Sequence, residues 1–113
     1  MILMKISHSA NSALPAELEL SLGRLGARIR LARKRRGLSL KELAAQMLVS
    51  INTLRRVEAG DPGASMGAYA AALWALGLHA SFDDLAKLDI VGLVRDRIPR
   101  KRRVTSSERN DDF

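Results

Sequence analysis

"LSLKELAAQMLVSINTLRRVEAG", residues 38–60, decides how this chain is read. Ser39 is followed three residues later by Glu42, the spacing of a capping box. In that device the serine hydroxyl accepts a backbone N–H and the carboxylate reaches back to the cap. Leu40, Leu43, Ala44 and Met47 then recur at three- and four-residue steps, which predicts a helix over 40–47. Leu48 and Val49 leave room for only a short connection. Ser50 is placed to cap a second helix, over about 51–59, and Gly60 to close it.

On a helical wheel at about 100° per residue, Leu54 and Val57 define the inward direction of that second helix. Asn52 falls opposite them, Arg55 and Arg56 flank it, and Ile51 sits at the margin. Asn makes bidentate pairs with adenine and Arg with guanine in the DNA major groove, and Arg also holds phosphates without reading sequence. Any surface helix turns polar residues outward, so the strip alone decides little. Two short capped helices, tightly joined, with this strip on the second, form a helix-turn-helix.

The flanks extend the pattern. Pro15 suits the start of a helix, and Leu18, Leu22, Leu25, Ile29 and Ala32 form one apolar stripe after it. Gly23 and Gly26 interrupt this helix. Either it breaks near 23, or the glycines permit close packing. Its other face is basic: Arg24, Arg28, Arg30, Lys34 and Arg35, with Gly37 as the terminating glycine. After the turn Asp61-Pro62-Gly63, Ser65 is placed to cap a fourth helix over 66–76. Its core face is Tyr69, Leu73, Leu76 and the alanines, and Gly77 closes it. Ser81 is expected to cap a fifth, short helix, with Asp83 and Asp84 favourable at its N-terminal dipole. Residues 89–99 are left open, and "DIVGLV" within them reads as a short strand. "RKRRVTSSERNDDF", 100–113, has too little apolar content to fold alone.

Composition bounds the rest. Of 113 residues, 47% are hydrophobic but 4% aromatic, so one aliphatic core is expected. Cysteine is absent, which excludes disulfides, thiolate zinc sites and cysteine nucleophiles. No apolar run approaches the roughly 20 residues of a membrane span, and Met1–Lys5 lacks the flanks of a signal peptide. The net charge of +7 points toward a polyanion. Seven basic residues fall within 24–36 and six within 95–103.

No catalytic or metal-binding constellation assembles. His8 and His79 stand far apart without an acidic cluster, and Asp83, Asp84 and Asp89 read as caps and solvated surface. Trp74 reads as core or dimer interface. The cluster from Arg95 to Arg103 has three readings: a solvated tail, a DNA arm adding phosphate contacts, or a dock for an acidic partner. Scarce aromatics argue against stacking on single-stranded nucleic acid.

"LGARIRLARKRRGLSLKELA", "VSINTLRRVEAG" and "YAAALWALGL" in this order resemble the lambda-repressor/Cro-like helix-turn-helix family, often called XRE, over residues 26–78. The resemblance implies that Leu40, Ile51, Asn52 and Arg56 lie at the DNA interface, and that Arg33 and Glu58 form a structural ion pair between the first and third helices. Two positions depart from it. Leu40 replaces a frequent Gln, leaving only its backbone N–H for phosphate. Ile51 replaces a polar residue and either packs on a thymine methyl or covers the core edge. The loop after Gly60, often basic in the family, is here "DPGAS". "RRVEAGDPGASMGAYAAALWALGL", "FDDLAKL" and "VGLVRDRIPRKRR" look further like HipB-type antitoxins. Such proteins bind a HipA-like serine/threonine kinase and repress their own operon.

The expectation is an all-α, lambda repressor-like protein of about five short helices. A flexible leader covers 1–14, a domain 15–88 with the helix-turn-helix at 39–59, and an extension with a flexible basic tail 89–113. It is a homodimeric operator-DNA repressor of the cytoplasm and nucleoid, without cofactor, metal or membrane. Its DNA-binding set is Ser39, Leu40, Ser50, Ile51, Asn52, Thr53, Arg55 and Arg56. Arg100, Lys101, Arg102, Arg103 and Phe113 form a partner or DNA arm. The alternatives are a module whose main role is neutralising a toxin, a regulator of the same family without a toxin, and a nonspecific polyanion binder or RNA-binding module.

Overall fold

The computed structural model of the chain describes residues 14–99, in which six α-helices and no strands occur. They are α1 (Ala16–Arg35), α2 (Leu40–Met47), α3 (Ile51–Glu58), α4 (Met66–Ala75), α5 (His79–Asp83) and α6 (Ile90–Asp96). The architecture is all-α, with one helix more than the five expected.

The caps set the boundaries of the central helices. Ser39 accepts the Glu42 N–H at 3.0 Å while its own N–H donates to Glu42 Oε1 at 2.8 Å, so both halves of the capping box are made. Hydrogen bonding to the Glu42 carboxylate, first from the Ser39 backbone N–H and then from the Ser39 hydroxyl, lowers its pKa. Ser50 accepts from Thr53 N–H and Ser65 from Ala68 N–H. Gly37, Gly60 and Gly77 take positive φ at the ends of α1, α3 and α4, where a Cβ would be strained. The turn between α2 and α3 instead places a leucine, Leu48, in the left-handed region at φ 61.

The core sits where α1, α2, α3 and α4 meet. Ile29, Leu43, Leu54 and Val57 are fully buried, joined by Met47, Tyr69, Leu73 and Leu76. Each such side chain contributes roughly 1.5–3 kcal/mol on burial. α1 packs on α3, α2 on α3 and α4, and α4 on α5.

Of the two readings of the α1 glycines, close packing holds. α1 runs unbroken through Gly23 and Gly26. A Cβ on Gly26 would lie 2.6 Å from the carbonyl oxygens of Val57 and Glu58. A Cβ on Gly60 would lie 2.6 Å from Gly23 Cα. α1 therefore meets the end of α3 backbone to backbone, which no larger residue at 26 or 60 permits.

Four expectations are corrected. "DIVGLV" is helical, because Asp89 caps it by accepting the Gly92 N–H at 2.9 Å and its apolar residues fall on one helical face. α5 starts at His79, with Leu78 at its N-cap and no side-chain cap. Ser81 thus lies inside it and Asp83 at its C-terminal end, because the Gly77 turn feeds the chain directly from α4 into α5. Trp74 is 65% exposed, so it is not core; it follows Leu73 by one residue and leaves the inward face of Ala68, Tyr69, Ala72 and Leu73. Leu18, the first residue of the α1 stripe, is exposed and extends past the packed helices.

Candidate nucleic-acid interface

α3 is held from three sides. Leu54 and Val57 anchor it in the core, and Ser50 closes its first turn. Arg33 of α1 grips its last turn: Nε donates to Glu58 Oε2 at 2.7 Å and Nη2 to Oε1 at 3.0 Å. The third guanidinium bond runs from Nη1 to the Leu38 carbonyl at 2.9 Å. The side chains of this pair are 9% and 7% exposed. The hydrogen bonds to Glu58 raise the Arg33 pKa, against the opposing cost of burial. This bidentate fork fixes the angle between α1 and α3.

With its back so fixed, α3 turns Asn52, Arg55 and Arg56 to solvent. Their environments differ. Arg56 is already engaged: its Nε donates to Asp61 Oδ2 at 2.8 Å. Asp61 Oδ1 accepts the Gly63 N–H at 2.7 Å and its carbonyl accepts the buried Tyr69 hydroxyl at 2.9 Å. Burial, and then the nearby Asp61 charge, pushes the Tyr69 hydroxyl pKa up.

Asp61 is thus a residue of this surface that the sequence reading left as part of an acidic loop. Its signal was the five-residue spacing from Arg56 across a terminating glycine, which brings an acid back beside the last turn of α3. In this loop Asp61 holds the Arg56 guanidinium.

The remaining candidates divide between capping and edge roles. Ser39 and Ser50 are exposed, but their hydroxyls serve the caps, and Ser50 also donates to Thr53 Oγ1 at 3.0 Å. Thr53 is half-buried. Leu40 and Ile51 are half-buried and pack against the core, so Ile51 covers the core edge while keeping part of its surface outward. The first-turn amides of α2 and α3 lie where helix N–H groups lack intrahelical acceptors and suit phosphate. On α1, Arg24, Arg28, Arg30, Lys34 and Arg35 are exposed and form the expected basic face. Residues 1–13 with His8, and Arg100, Lys101, Arg102, Arg103 and Phe113, lie outside the described residues.

Among the described residues, no group of three or more His, Asp or Glu side chains is placed to hold a metal ion. No described helix is long and apolar enough to cross a membrane.

Comparison with characterised proteins and with solved structures yields no significant match. A family model described as "Helix-turn-helix domain" matches residues 24–87, more than half of the chain. That span opens on the basic face of α1, contains α2 and α3 and closes after α5, in the all-α arrangement of lambda repressor-like domains. The chain belongs to the helix-turn-helix domain family, whose members are DNA-binding regulators.

Proposed function

We propose that the protein is a transcriptional repressor that binds double-stranded operator DNA sequence-specifically as a homodimer. α3 of each subunit enters one of two successive major grooves and blocks transcription by occupancy. One observation carries this reading: Asn52 and Arg55 stand exposed on a helix whose back is locked by Leu54, Val57 and the Arg33–Glu58 fork. A rigid helix bearing two side chains capable of bidentate base contacts is what direct readout needs. The basic face of α1 supplies nonspecific attraction.

The finer reading, a HipB-type antitoxin that represses its own operon and binds a HipA-like serine/threonine kinase, rests on the resemblance within residues 55–103. Co-purification with a kinase encoded beside it tests that part. A second reading, a module whose main role is neutralising a toxin, draws support from the exposed apolar side chains between Leu85 and Ile98.

Selection of bound sequences from randomised duplex DNA tests the main reading. A defined, two-fold symmetric site is expected. On that site Asn52→Ala and Arg55→Ala are each expected to lose roughly 5- to 150-fold in affinity, as for one bidentate contact of about 1–3 kcal/mol. Their thermal midpoints should match that of the parent. Enrichment of no sequence, or parental affinity of both variants, defeats the assignment.

A further inference from the structure

Among the described residues two apolar surfaces lack a partner, and they match each other. The first is a groove of about 520 Å³ between α1, α4 and α5, lined by Leu22, Leu25, Ile29, Leu73, Leu78 and Phe82. Met66 and Leu85 stand at it too, 69% and 61% exposed. The second is α6. Ile90, Val91, Leu93 and Val94 occupy one arc of this helix and Gly92, Arg95 and Asp96 the opposite one. All four apolar residues are more than half exposed, and no substantial packing joins α6 to another described helix.

A seven-residue helix is far below the roughly 12–15 residues at which isolated helices become even marginal in water. Its apolar face needs cover. We infer that α6 of one copy docks in the α1/α4/α5 groove of a second copy, reciprocally, and that this exchange is the contact that makes the dimer. The inference rests on the dimeric reading above.

Three observations favour a second copy as the occupant. Leu85 lies at the groove, Ala86 after it takes the left-handed conformation at φ 59, and no residue of α6 lines the groove. The helix's own groove is thereby left open. The exposed apolar residues Leu85, Leu88, Ile90, Val91, Leu93, Val94 and Ile98 offer on the order of 800 Å², what one side of a standard interface contributes. No groove residue belongs to α2 or α3, so a dimer joined there leaves both helix-turn-helix units open to DNA. The contact is isologous and closes on two copies, as two symmetric half-sites require.

Sedimentation equilibrium of the full chain tests this with two variant pairs. Leu93→Asp/Val94→Asp places charge on α6, and Met66→Glu/Leu85→Glu places it at the groove. All four positions are exposed, so thermal midpoints taken at a dilution where the parent is monomeric should match the parent's. If either pair lowers its midpoint, the milder Leu93→Ser and Met66→Gln replace it. Each pair alone should weaken dimerisation roughly 30-fold or more. An equimolar mixture of the two should recover heterodimer, because the intact α6 of one variant meets the intact groove of the other. Dimers that persist in both pairs, or a mixture that stays monomeric, overturn the inference. So does a monomeric parent, and a midpoint that falls in Leu93→Asp/Val94→Asp then shows that α6 covers its own groove. Binding of a single DNA half-site is read in parallel. Its loss in the parent defeats the repressor reading without touching the dimer contact.

Discussion

Arg56 and Asp61 form an ion pair, Nε to Oδ2 at 2.8 Å, across the C-terminal end of α3. The Arg56 side chain remains 49% exposed, so the pair is solvated and worth about 0–1 kcal/mol to the fold. Its larger consequence concerns DNA, because it occupies one of the two arginines beside Asn52. Asp61→Asn keeps a side-chain oxygen for the Gly63 N–H and removes the charge that holds Arg56. Duplex affinity is expected to rise. The slope of log K against log salt should steepen by about 0.9 for each phosphate that Arg56 then contacts. An unchanged slope would mean that Arg56 stays folded back.

Arg33 and Glu58 act through stability. With both side chains less than a tenth exposed, removing one partner strands a charge and costs about 3–5 kcal/mol. Arg33→Ala also abandons the Leu38 carbonyl. The double variant should lose less than the sum of the two singles. Urea denaturation of the four proteins measures this, and additive losses would show that the pair does not couple.

Gly23 and Gly26 separate helix propensity from packing. A Cβ on Gly23 meets nothing within 4 Å, so Gly23→Ala should stabilise by up to about 1 kcal/mol. A Cβ on Gly26 lands 2.6 Å from two carbonyl oxygens of α3. Gly26→Ala should therefore destabilise by roughly 1–3 kcal/mol, as overpacking does. Equal midpoint shifts in the two variants would refute the close contact of α1 with α3.

Leu48 holds the left-handed position of the turn between α2 and α3, and it is 91% exposed. The left-handed backbone costs a residue with a Cβ roughly 1–2 kcal/mol. Glycine is free of that cost but loses more chain entropy on folding. With no packing to lose, Leu48→Gly should gain about 0.5–1 kcal/mol overall, read as a higher thermal midpoint. A lower midpoint would assign the leucine a contact that its exposure denies.

The sequence by itself determined the parts whose causes are local. The Ser39–Glu42 box, the caps at Ser50 and Ser65 and the glycine stops at 37, 60 and 77 depend on neighbours a few residues away. The inward faces of α2, α3 and α4 follow from the 3.6-residue period, which also places Asn52 and Arg55 outward. Where local signals were weak or two-sided, only the tertiary structure decided. A short apolar run such as Ile90–Val94 satisfies strand and helix alike, and Ser81 sits as well inside a helix as before one. Trp74 reads as core until the packed face of α4 is known to end beside it. Whether α1 breaks near Gly23 or its glycines admit α3 is settled at Gly26 by the carbonyls of Val57 and Glu58, more than thirty residues away in the chain. The engagement of Arg56 likewise follows from where the loop after Gly60 returns. Capping and amphipathic periodicity act over one or two turns of chain. Close approach and side-chain pairing depend on where distant backbone lies once the core of Ile29, Leu43, Leu54 and Val57 has closed.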